Sequence, residues 1–398
     1  MAACLPRLRG DLDFMPSPVE DTPGLLIRDS FRYSDAILVI PPPLVPCVGL
    51  FDGVHTELDL RAALVQVTGQ LDVSDIQNQI AGSLSRAGFL EDEAGAEMKA
   101  QRRAEFAAAA VREPSHAGAA YPEDPAELRA TVDQWLGPAV EPAAGLLAIA
   151  APHVSPEGGY DSYRSAYRLL GPAYKDRTFV ILGTSHYGEP DRFGLTRKPW
   201  VTPFGETRPH PGLIDELERL APGAVLMEDY CHAVEHSIEF QVMFLQSIYG
   251  PDISILPVLC GAHTRDIPEE EDNVRRFLGT LGDIAAREKS RLLWVLGVDM
   301  AHMGQRYGDP FEALAHQNEM LAVGGDDRDR MDRMAAGDAQ GFWERIGGSR
   351  DALKWCGSSP IYTFLKVCPE ARGTLHHYEQ WNIDPASVVT FAGMSFTG

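Results

Sequence analysis

The sequence has far fewer basic residues than acidic ones, and this shortage of positive charge argues against two classes of partner. Lysine and arginine together number 35, against 57 aspartate and glutamate residues, which gives a formal net charge of −22 at pH 7. Such a charge repels phosphate backbones and anionic lipid headgroups. We therefore expect neither nucleic acid nor a membrane surface as a partner. A hydrophobic fraction of 44% with 23% charged residues is nevertheless typical of a globular chain.

Cysteines and long apolar runs are also scarce. The six cysteines lie far apart with no CxxC pair, so the sequence predicts neither a disulfide scaffold nor a structural zinc knuckle. Reduced thiols are typical of the cytoplasm, where we expect the protein to reside. The longest apolar stretch, Ala36 to Phe51, is broken by prolines, and no apolar segment follows the first arginines. We therefore expect no signal peptide and no membrane span.

Nucleotide-binding and hydrolase motifs are absent as well. No GxxxxGK[ST], GxGxxG or GxSxG stands between a predicted strand and a predicted helix. Phosphate loops, dinucleotide folds and nucleophile elbows therefore have no support.

The N-terminal residues 1–92 predict a small α+β domain. Strands are predicted at Ala36 to Ile40 and at Cys47 to Leu50, with helices over 57–67 and 74–87. This order of elements resembles the winged-helix, PqqD-like modules that bind peptides, which implies a peptide partner for this domain. The Ala-rich charged stretch that follows predicts a linker helix over 93–112.

Residues 113–398 alternate apolar runs with amphipathic segments. This alternation predicts an α/β domain with a mainly parallel or mixed central sheet flanked by helices. The predicted strands are 145–151, 178–182, 254–258, 292–297, 373–378 and 388–396. The predicted helices are 125–136, 160–170, 234–248, 274–286, 310–321, 338–346 and 359–367.

Three of the predicted strands lead directly into a histidine-bearing segment: Pro152-His153, Gly183-Thr184-Ser185-His186 and Asp299-Met300-Ala301-His302. Ligands collect beyond the carboxyl ends of parallel strands. A single histidine there is usually a hydrogen-bonded loop residue, but three together favour a shared site. Two imidazoles with an anionic third ligand form a mononuclear metal site with open positions. His153 and His186 are the first two candidate ligands.

A second concentration of metal-binding side chains lies in residues 229–239. If a helix begins near His232, then His232, Glu235, His236 and Glu239 share one face. That pattern would allow zinc-dependent hydrolysis, although the HExxH order is absent. The alternative is a helix start whose acids favour the positive end of the dipole.

Cys356 precedes the predicted helix 359–367. A helix N-terminus lowers the pKa of a thiol and favours the thiolate, which binds metals or attacks electrophiles. The alternative is a buried, inert cysteine.

Several collinear motifs carry a resemblance to the MEMO family, including its bacterial AmmeMemoRadiSam-system B members, over about residues 113–398. They are Ser115-His116-Ala117-Gly118 with Tyr121-Pro122, Ala151-Pro152-His153, Gly183-Thr184-Ser185-His186, Glu235-His236-Ser237-Ile238-Glu239, Asp299-Met300-Ala301-His302 and Cys356-Gly357.

The resemblance implies a fold like that of the class III extradiol dioxygenases. It also implies a metal pocket made of His153, His186 and Cys356, with a cysteine where the dioxygenases have a glutamate. Asp299 and His302 correspond to the aspartate and the histidine of the family's DxxH segment. In the dioxygenases, a histidine at the position of His302 acts as the general acid and base. Glu235 and His236 would face the same pocket.

Our leading hypothesis from the sequence is a mononuclear non-haem oxidoreductase that uses dioxygen on a small organic or peptide substrate. Iron(II) is the expected metal, copper is the alternative, and zinc ranks after both. His302, oriented by Asp299, would shuttle the proton, while Glu235 and His236 would position substrate or water. The competing hypothesis is a metal- or peptide-binding module of the MEMO type without turnover.

Overall fold

The computed structural model describes residues 4–17, 21–347 and 351–398, and the chain divides into two compact units, Met1–Ala108 and Ala109–Gly398. The first unit has a three-stranded antiparallel sheet in the order β1-β2-β3, and helices. Its elements are β1 (Leu12–Pro16), β2 (Leu25–Asp29), β3 (Ile37–Ile40), α1 (Val45–Val48), α2 (Glu57–Thr68), α3 (Ser74–Arg86) and α4 (Glu93–Ala108).

Local sequence explains most of this unit. Helix α2 begins at a capping box, in which Thr56 and Asp59 bond each other's backbone amides, and it ends at Gly69 in the left-handed conformation. The strand expected from Cys47 is wrong, because Pro46 occupies the first turn of helix α1. Helix α4, expected as a linker, contacts its own unit: the Arg102 guanidinium bonds the Tyr33 carbonyl and the Asp35 carboxylate.

The second unit is built on one eleven-stranded mixed sheet flanked by helices, which confirms the predicted fold class. Its strands are β4 (Leu146–Ala151), β5 (Thr178–Thr184), β6 (Phe193–Leu195), β7 (Trp200–Thr202), β8 (Gly205–Pro209), β9 (Val225–Met227), β10 (Ser254–Cys260), β11 (Leu292–Gly297), β12 (His302–Gly304), β13 (Arg372–Asp384) and β14 (Ser387–Thr397). Its helices are α5 (Pro125–Leu136), α6 (Pro156–Tyr167), α7 (Pro211–Leu220), α8 (Cys231–Val234), α9 (Glu239–Tyr249), α10 (Asp272–Arg287), α11 (Glu319–Ala336), α12 (Ala339–Ile346) and α13 (Ser358–Val367).

Four parallel strands form the centre of this sheet in the order β4-β11-β5-β10. Strand β14 is antiparallel to β4, and β6 is antiparallel to β10, so the sheet is mixed. The central strands are buried on both faces, which is why their sequences read as continuous apolar runs. Alternate residues face two cores: Val180 and Leu182 pack on one side, and Phe179 and Ile181 on the other.

The helix expected over 310–321 is wrong, since α11 begins only at Glu319. The side chains of Gln380 and Asn382 on β13 accept hydrogen bonds from the backbone amides of His316 and Ala315, which keeps the preceding segment out of a helix. No helix in the described part of the chain is long and apolar enough to span a bilayer.

Candidate metal centre

The sheet brings the ends of three neighbouring strands together. Strands β4, β11 and β5 are parallel, so the residues that follow them emerge at one edge. His153 follows β4, His186 follows β5, and Asp299 follows β11. The ring centroids of His153 and His186 lie 5.0 Å apart.

A third histidine reaches the same place from the segment between α8 and α9. The ring of His236 lies 5.1 Å from the rings of both His153 and His186. The continuous helix expected from residue 234 is wrong. Helix α8 ends at Val234, Glu235 is extended, and α9 begins only at Glu239.

Two glycines at strand ends let this segment approach the sheet. A Cβ atom on Gly297 would lie 2.2 Å from the Ser237 carbonyl oxygen, and one on Gly183 would lie 2.5 Å from the Ser237 hydroxyl. Ser237 donates a hydrogen bond to the Thr184 carbonyl at 2.8 Å, which fixes the approach. Any larger residue at these two strand ends would push His236 away from the pocket.

In each of the three imidazoles, Nδ1 has a partner outside the group. Nδ1 of His153 lies 2.9 Å from the Gly297 carbonyl oxygen, while Nδ1 of His186 and of His236 lie 3.0 and 3.2 Å from the Glu235 carboxylate. With each Nδ1 engaged, each Nε2 is left as a ligand atom. The ligand atoms of these three histidines all lie within 4.8 Å of one another, so the group could hold a metal ion.

Glu235 is the charged partner of this group. It is fully buried, and it also accepts hydrogen bonds from the backbone amides of His186 and His236, both at 2.9 Å. Burial alone would raise the pKa of Glu235, but His186 and His236 lower it well below its usual value. The pKa of His236 itself is lowered by burial to about 4. A carboxylate behind a histidine is the usual outer partner of a metal ligand.

The Cys356 thiol lies beside the imidazoles, directly before α13. Its Sγ is 3.3 Å from Nε2 of His153, and the amide of Gly357 donates to the Asp299 carbonyl at 3.1 Å. Burial would raise the pKa of Cys356, but His153, His302 and His186 lower it to about 5. The pKa of His153, which burial would lower, is raised by Asp299 and Cys356 to about 9. Cys356 is therefore a thiolate at neutral pH.

Asp299 and His302 both lie at the pocket, but Asp299 does not contact His302 as expected. Oδ1 of Asp299 accepts from the His153 amide at 2.8 Å, and Oδ2 lies 3.4 Å from Nε2 of His153. The His302 ring is held instead by two backbone carbonyls, those of Met300 and Lys354, at 2.9 and 3.1 Å from Nδ1. Asp299 therefore orients His153, and the backbone orients His302.

The pocket also contains two side chains that the sequence analysis did not assign to it. Tyr307 packs edge-on against His302, with ring centroids 5.0 Å apart. His116 packs against His236 at 5.5 Å. The Ser115-His116 motif was the available signal for His116, whereas nothing in the local sequence marks Tyr307.

His116 belongs to a buried network around Glu239. This carboxylate accepts hydrogen bonds from Arg112, from the Tyr121 hydroxyl at 2.5 Å and from the amide of His116 at 3.0 Å. The fully buried Arg112 also donates to the carbonyl oxygens of His232 and Glu235. Arg112 thus fixes the backbone of the segment that carries Glu235 and His236.

His232 has no part in the pocket. It is fully buried, its ring packs edge-on against Trp200 at 5.7 Å, and burial lowers its pKa to about 4. Because α8 and α9 are separate helices, His232 and His236 do not share a helix face. The arrangement gives no support to a zinc site made by this pair.

The donor set of the pocket suits a transition metal. Imidazole nitrogens and a thiolate are ligands for iron, copper and zinc, whereas calcium and magnesium prefer oxygen. The Cys356 thiolate and the neutral His236 imidazole already have the protonation state that a metal requires, whereas His153 and His186 would each release a proton on binding one.

Comparisons with known proteins show the family to which the chain is similar. The Memo-like protein family matches residues 112–395. A MEMO1 family protein of Aquifex aeolicus is 25% identical over 378 residues, which cover 93% of this chain and 95% of that protein. A MEMO1 family protein of Thermococcus kodakarensis is 29% identical over 301 residues, covering 72% of this chain and 99% of the relative.

Among solved structures, an uncharacterised protein of Escherichia coli K12 aligns with a TM-score of 0.40 and 12% identity, covering 64% of this chain and all of that one. The family match alone spans well over half of the sequence. The chain therefore belongs to the Memo-like protein family.

Proposed function

We propose that the protein is a mononuclear non-haem metal protein whose ion is held by His153, His186 and Cys356. The observation that carries this proposal is the convergence of one ligand atom from each of three imidazoles within 4.8 Å, with the Cys356 thiol 3.3 Å from Nε2 of His153. Iron(II) is the favoured ion, copper the alternative, and zinc the third choice. His236 lies within reach of the same ion, and we assign it to positioning substrate or water.

We further propose that the protein is an oxidoreductase for a small organic or peptide substrate. A bound iron or copper ion would supply redox chemistry toward dioxygen. The residues around it would handle the protons. With Nδ1 of His302 facing two carbonyls, its proton stays on Nδ1, and Nε2 is left to accept and return a proton.

The thiolate provides the sharpest test of the metal site. Without the thiolate no anionic ligand remains for the ion, so Cys356→Ala should lose most of the bound metal after anaerobic reconstitution, although His236 offers a third imidazole. Cys356→Glu should recover iron, because it restores a two-histidine, one-carboxylate set, but should not recover copper equally. Metal per chain is measured by elemental analysis of protein prepared without chelator or nickel resin.

Cys368→Ala is the matched control, because Cys368 is a buried thiol at the far end of α13. It should keep the metal content of the parent protein. Equal metal in Cys356→Ala and in the parent would remove Cys356 from the ligand set.

Oxygen uptake by the iron-loaded protein with phenols or peptides then tests the oxidoreductase. Metal binding without any uptake would favour the binding module.

A further inference from the structure

Lys354, two residues before Cys356, has an unusual backbone conformation. Its φ is 54°, in the left-handed region. A residue with a β-carbon is uncommon there, and glycine adopts this region much more readily. Strained conformations of this kind cluster at active sites, and they persist only where the surrounding contacts fix them. The contacts of Lys354 should therefore explain why a lysine occupies this position.

The segment around Lys354 is fixed by buried side chains. The Asp351 carboxylate accepts a hydrogen bond from the Trp355 amide at 2.7 Å and pairs with the Arg330 guanidinium at 2.9 Å. The Trp355 indole donates a hydrogen bond to the fully buried Asp327 carboxylate at 2.8 Å. These contacts hold the chain on both sides of Lys354, so its left-handed conformation can be maintained.

The conformation of Lys354 brings two successive carbonyls to one histidine. The amide of His302 donates to the Leu353 carbonyl at 2.8 Å, and Nδ1 of the same residue lies 3.1 Å from the Lys354 carbonyl oxygen. In an extended chain, successive residues alternate between the two sides of the strand. The turned backbone at Lys354 is therefore what allows neighbouring carbonyls to reach both the amide and the ring of His302.

The lysine side chain adds a second link, which a glycine at this position would lack. Nζ of Lys354 lies 2.8 and 3.0 Å from the two carboxylate oxygens of Asp309. Asp309 is only 16% exposed, and it also accepts a hydrogen bond from the Gly304 amide at 2.9 Å. Gly304 ends strand β12, which begins at His302. The ion pair thus joins the strand that carries His302 to the segment that carries Cys356.

We infer that Lys354 is a positioning residue for His302. Its carbonyl holds the proton of the His302 ring on Nδ1, and its ammonium group, paired with Asp309, keeps the strained backbone in place. Nε2 of His302 is then left without a proton. The use of this nitrogen as a proton acceptor rests on the proposed function, whereas the orientation of the ring is a property of the metal-free chain.

The position of the ring proton is measured on the full-length, metal-free protein with isotope-labelled histidine rings. Nitrogen NMR at about pH 8.5, where ordinary imidazoles are neutral, shows which ring nitrogen carries the proton. The signals of His302 are those missing from His302→Ala. The parent should have the His302 proton on Nδ1. In Lys354→Met, the tautomer ratio should shift about three- to tenfold toward Nε2–H, the effect of weakening one hydrogen bond.

Three further variants separate the ion pair from other effects. Lys354→Arg keeps a cation beside Asp309 and should retain the parent tautomer ratio. Asp309→Asn removes the pair from the other side and should reproduce the shift, which also covers the case that Lys354→Met does not fold. Lys289→Met is the matched control, because Lys289 forms an ion pair with Glu370 at 2.8 Å. It should leave the His302 signals unchanged.

Two results would overturn the role of Lys354. An unchanged tautomer ratio in Asp309→Asn and in folded Lys354→Met would mean that the Met300 carbonyl, 2.9 Å from Nδ1, orients His302 by itself. A shift in Lys354→Met that Lys354→Arg does not reverse would mean that the positive charge is not what acts. Neither metal nor turnover enters the measurement, so a failed metal site would leave this result unchanged, and an unchanged ratio would leave the metal proposal standing.

Discussion

At the scale of single residues, the pocket combines groups that stabilise one another's reactive forms. Glu235 accepts from the imidazoles of His186 and His236, and its buried charge raises the pKa of His186 well above its usual value despite burial. Cys356 and His153 form a thiolate beside a protonated imidazole. Such paired shifts are typical of functional sites, because an inert core would not maintain separated buried charges.

His302 is the residue whose role in proton transfer can be separated from metal binding. Its ring is oriented by two carbonyls, so His302→Ala should leave the metal content near that of the parent. Turnover should fall by about 10²–10⁴-fold, the usual contribution of a general acid–base group. Metal content is measured by elemental analysis, and turnover by oxygen uptake once a substrate is found. His376→Ala, on β13, should change neither quantity. Loss of metal in His302→Ala would make His302 a ligand.

The sequence indicated some of these residues because their signal is local. Three strands with continuous apolar sequences are each followed directly by one of the residues His153, His186 and Asp299. Because these strands pair in parallel, the three residues meet at one edge of the sheet. The proximity of Cys356 to His153 rested on the family resemblance, because the two lie 203 positions apart. The orientation of His302 by carbonyls could not be read from a DxxH spacing, since backbone acceptors have no sequence signature.

At the scale of elements, the break between α8 and α9 decides where His236 points. The apolar periodicity predicted one helix, but periodicity does not reveal that Arg112 bonds the carbonyls of His232 and Glu235 from 120 or more residues away. Those carbonyl oxygens accept hydrogen bonds from Arg112 and not from backbone amides one helical turn later. Long-range contacts of this kind override local propensity, and the sequence alone does not show them.

The close approach at the end of β11 gives an element-scale prediction. In Gly297→Ala the new Cβ would meet the Ser237 carbonyl, a backbone atom that cannot move without shifting His236. We expect a loss of unfolding free energy of about 1–3 kcal/mol and weaker metal binding. Gly279→Ala is the control, because a Cβ on this α10 residue meets nothing within 4 Å. It should gain up to about 1 kcal/mol. Denaturant unfolding measures both, and equal stability of the two variants would contradict the assigned contact.

The start of α9 gives a pH-dependent prediction. Burial would raise the pKa of Glu239, but Arg112, His116 and Tyr121 lower it well below its usual value. Because the folded-state pKa is the lower one, this carboxylate stabilises the fold above its unfolded-state pKa, and the contribution is lost as the pH falls through the folded-state value. Glu239→Gln should cost about 3–5 kcal/mol at pH 7 and should flatten the acid-induced loss of stability below about pH 5.

Unfolding free energies between pH 7 and pH 3 test this prediction. Glu216 is the control, since its carboxylate also has a lowered pKa but pairs with Arg287 at the surface. Glu216→Gln should cost less than about 1 kcal/mol. A pH profile of Glu239→Gln parallel to that of the parent would show that Glu239 is not the titrating group.

At the scale of the whole molecule, the family match and the division of the chain fall close together. The Memo-like match begins at residue 112, and the second unit begins at Ala109. The Aquifex aeolicus relative aligns over 93% of this chain, so the likeness to that protein includes most of the first unit. A winged-helix, peptide-binding role for the first unit stays a prediction, to be tested by peptide binding to residues 1–108 alone.

The four residues from Ala109 to Arg112 decide whether the second unit can be produced alone. A fragment of residues 109–398 keeps Arg112, which pairs with the buried Glu239 and holds the backbone of Glu235. A fragment of residues 113–398, which begins where the sequence placed the domain, leaves the Glu239 charge buried without its main partner. Breaking a buried pair costs about 3–5 kcal/mol. We therefore expect the longer fragment to melt and bind metal like the second unit of the full chain, and the shorter one to melt at a clearly lower temperature with less bound metal.

Full-length Arg112→Ala is the control that separates the missing guanidinium from the missing backbone, and it should reproduce the defect of the shorter fragment. Equal melting temperatures and metal contents for the two fragments would show that Arg112 does not anchor the segment carrying His236.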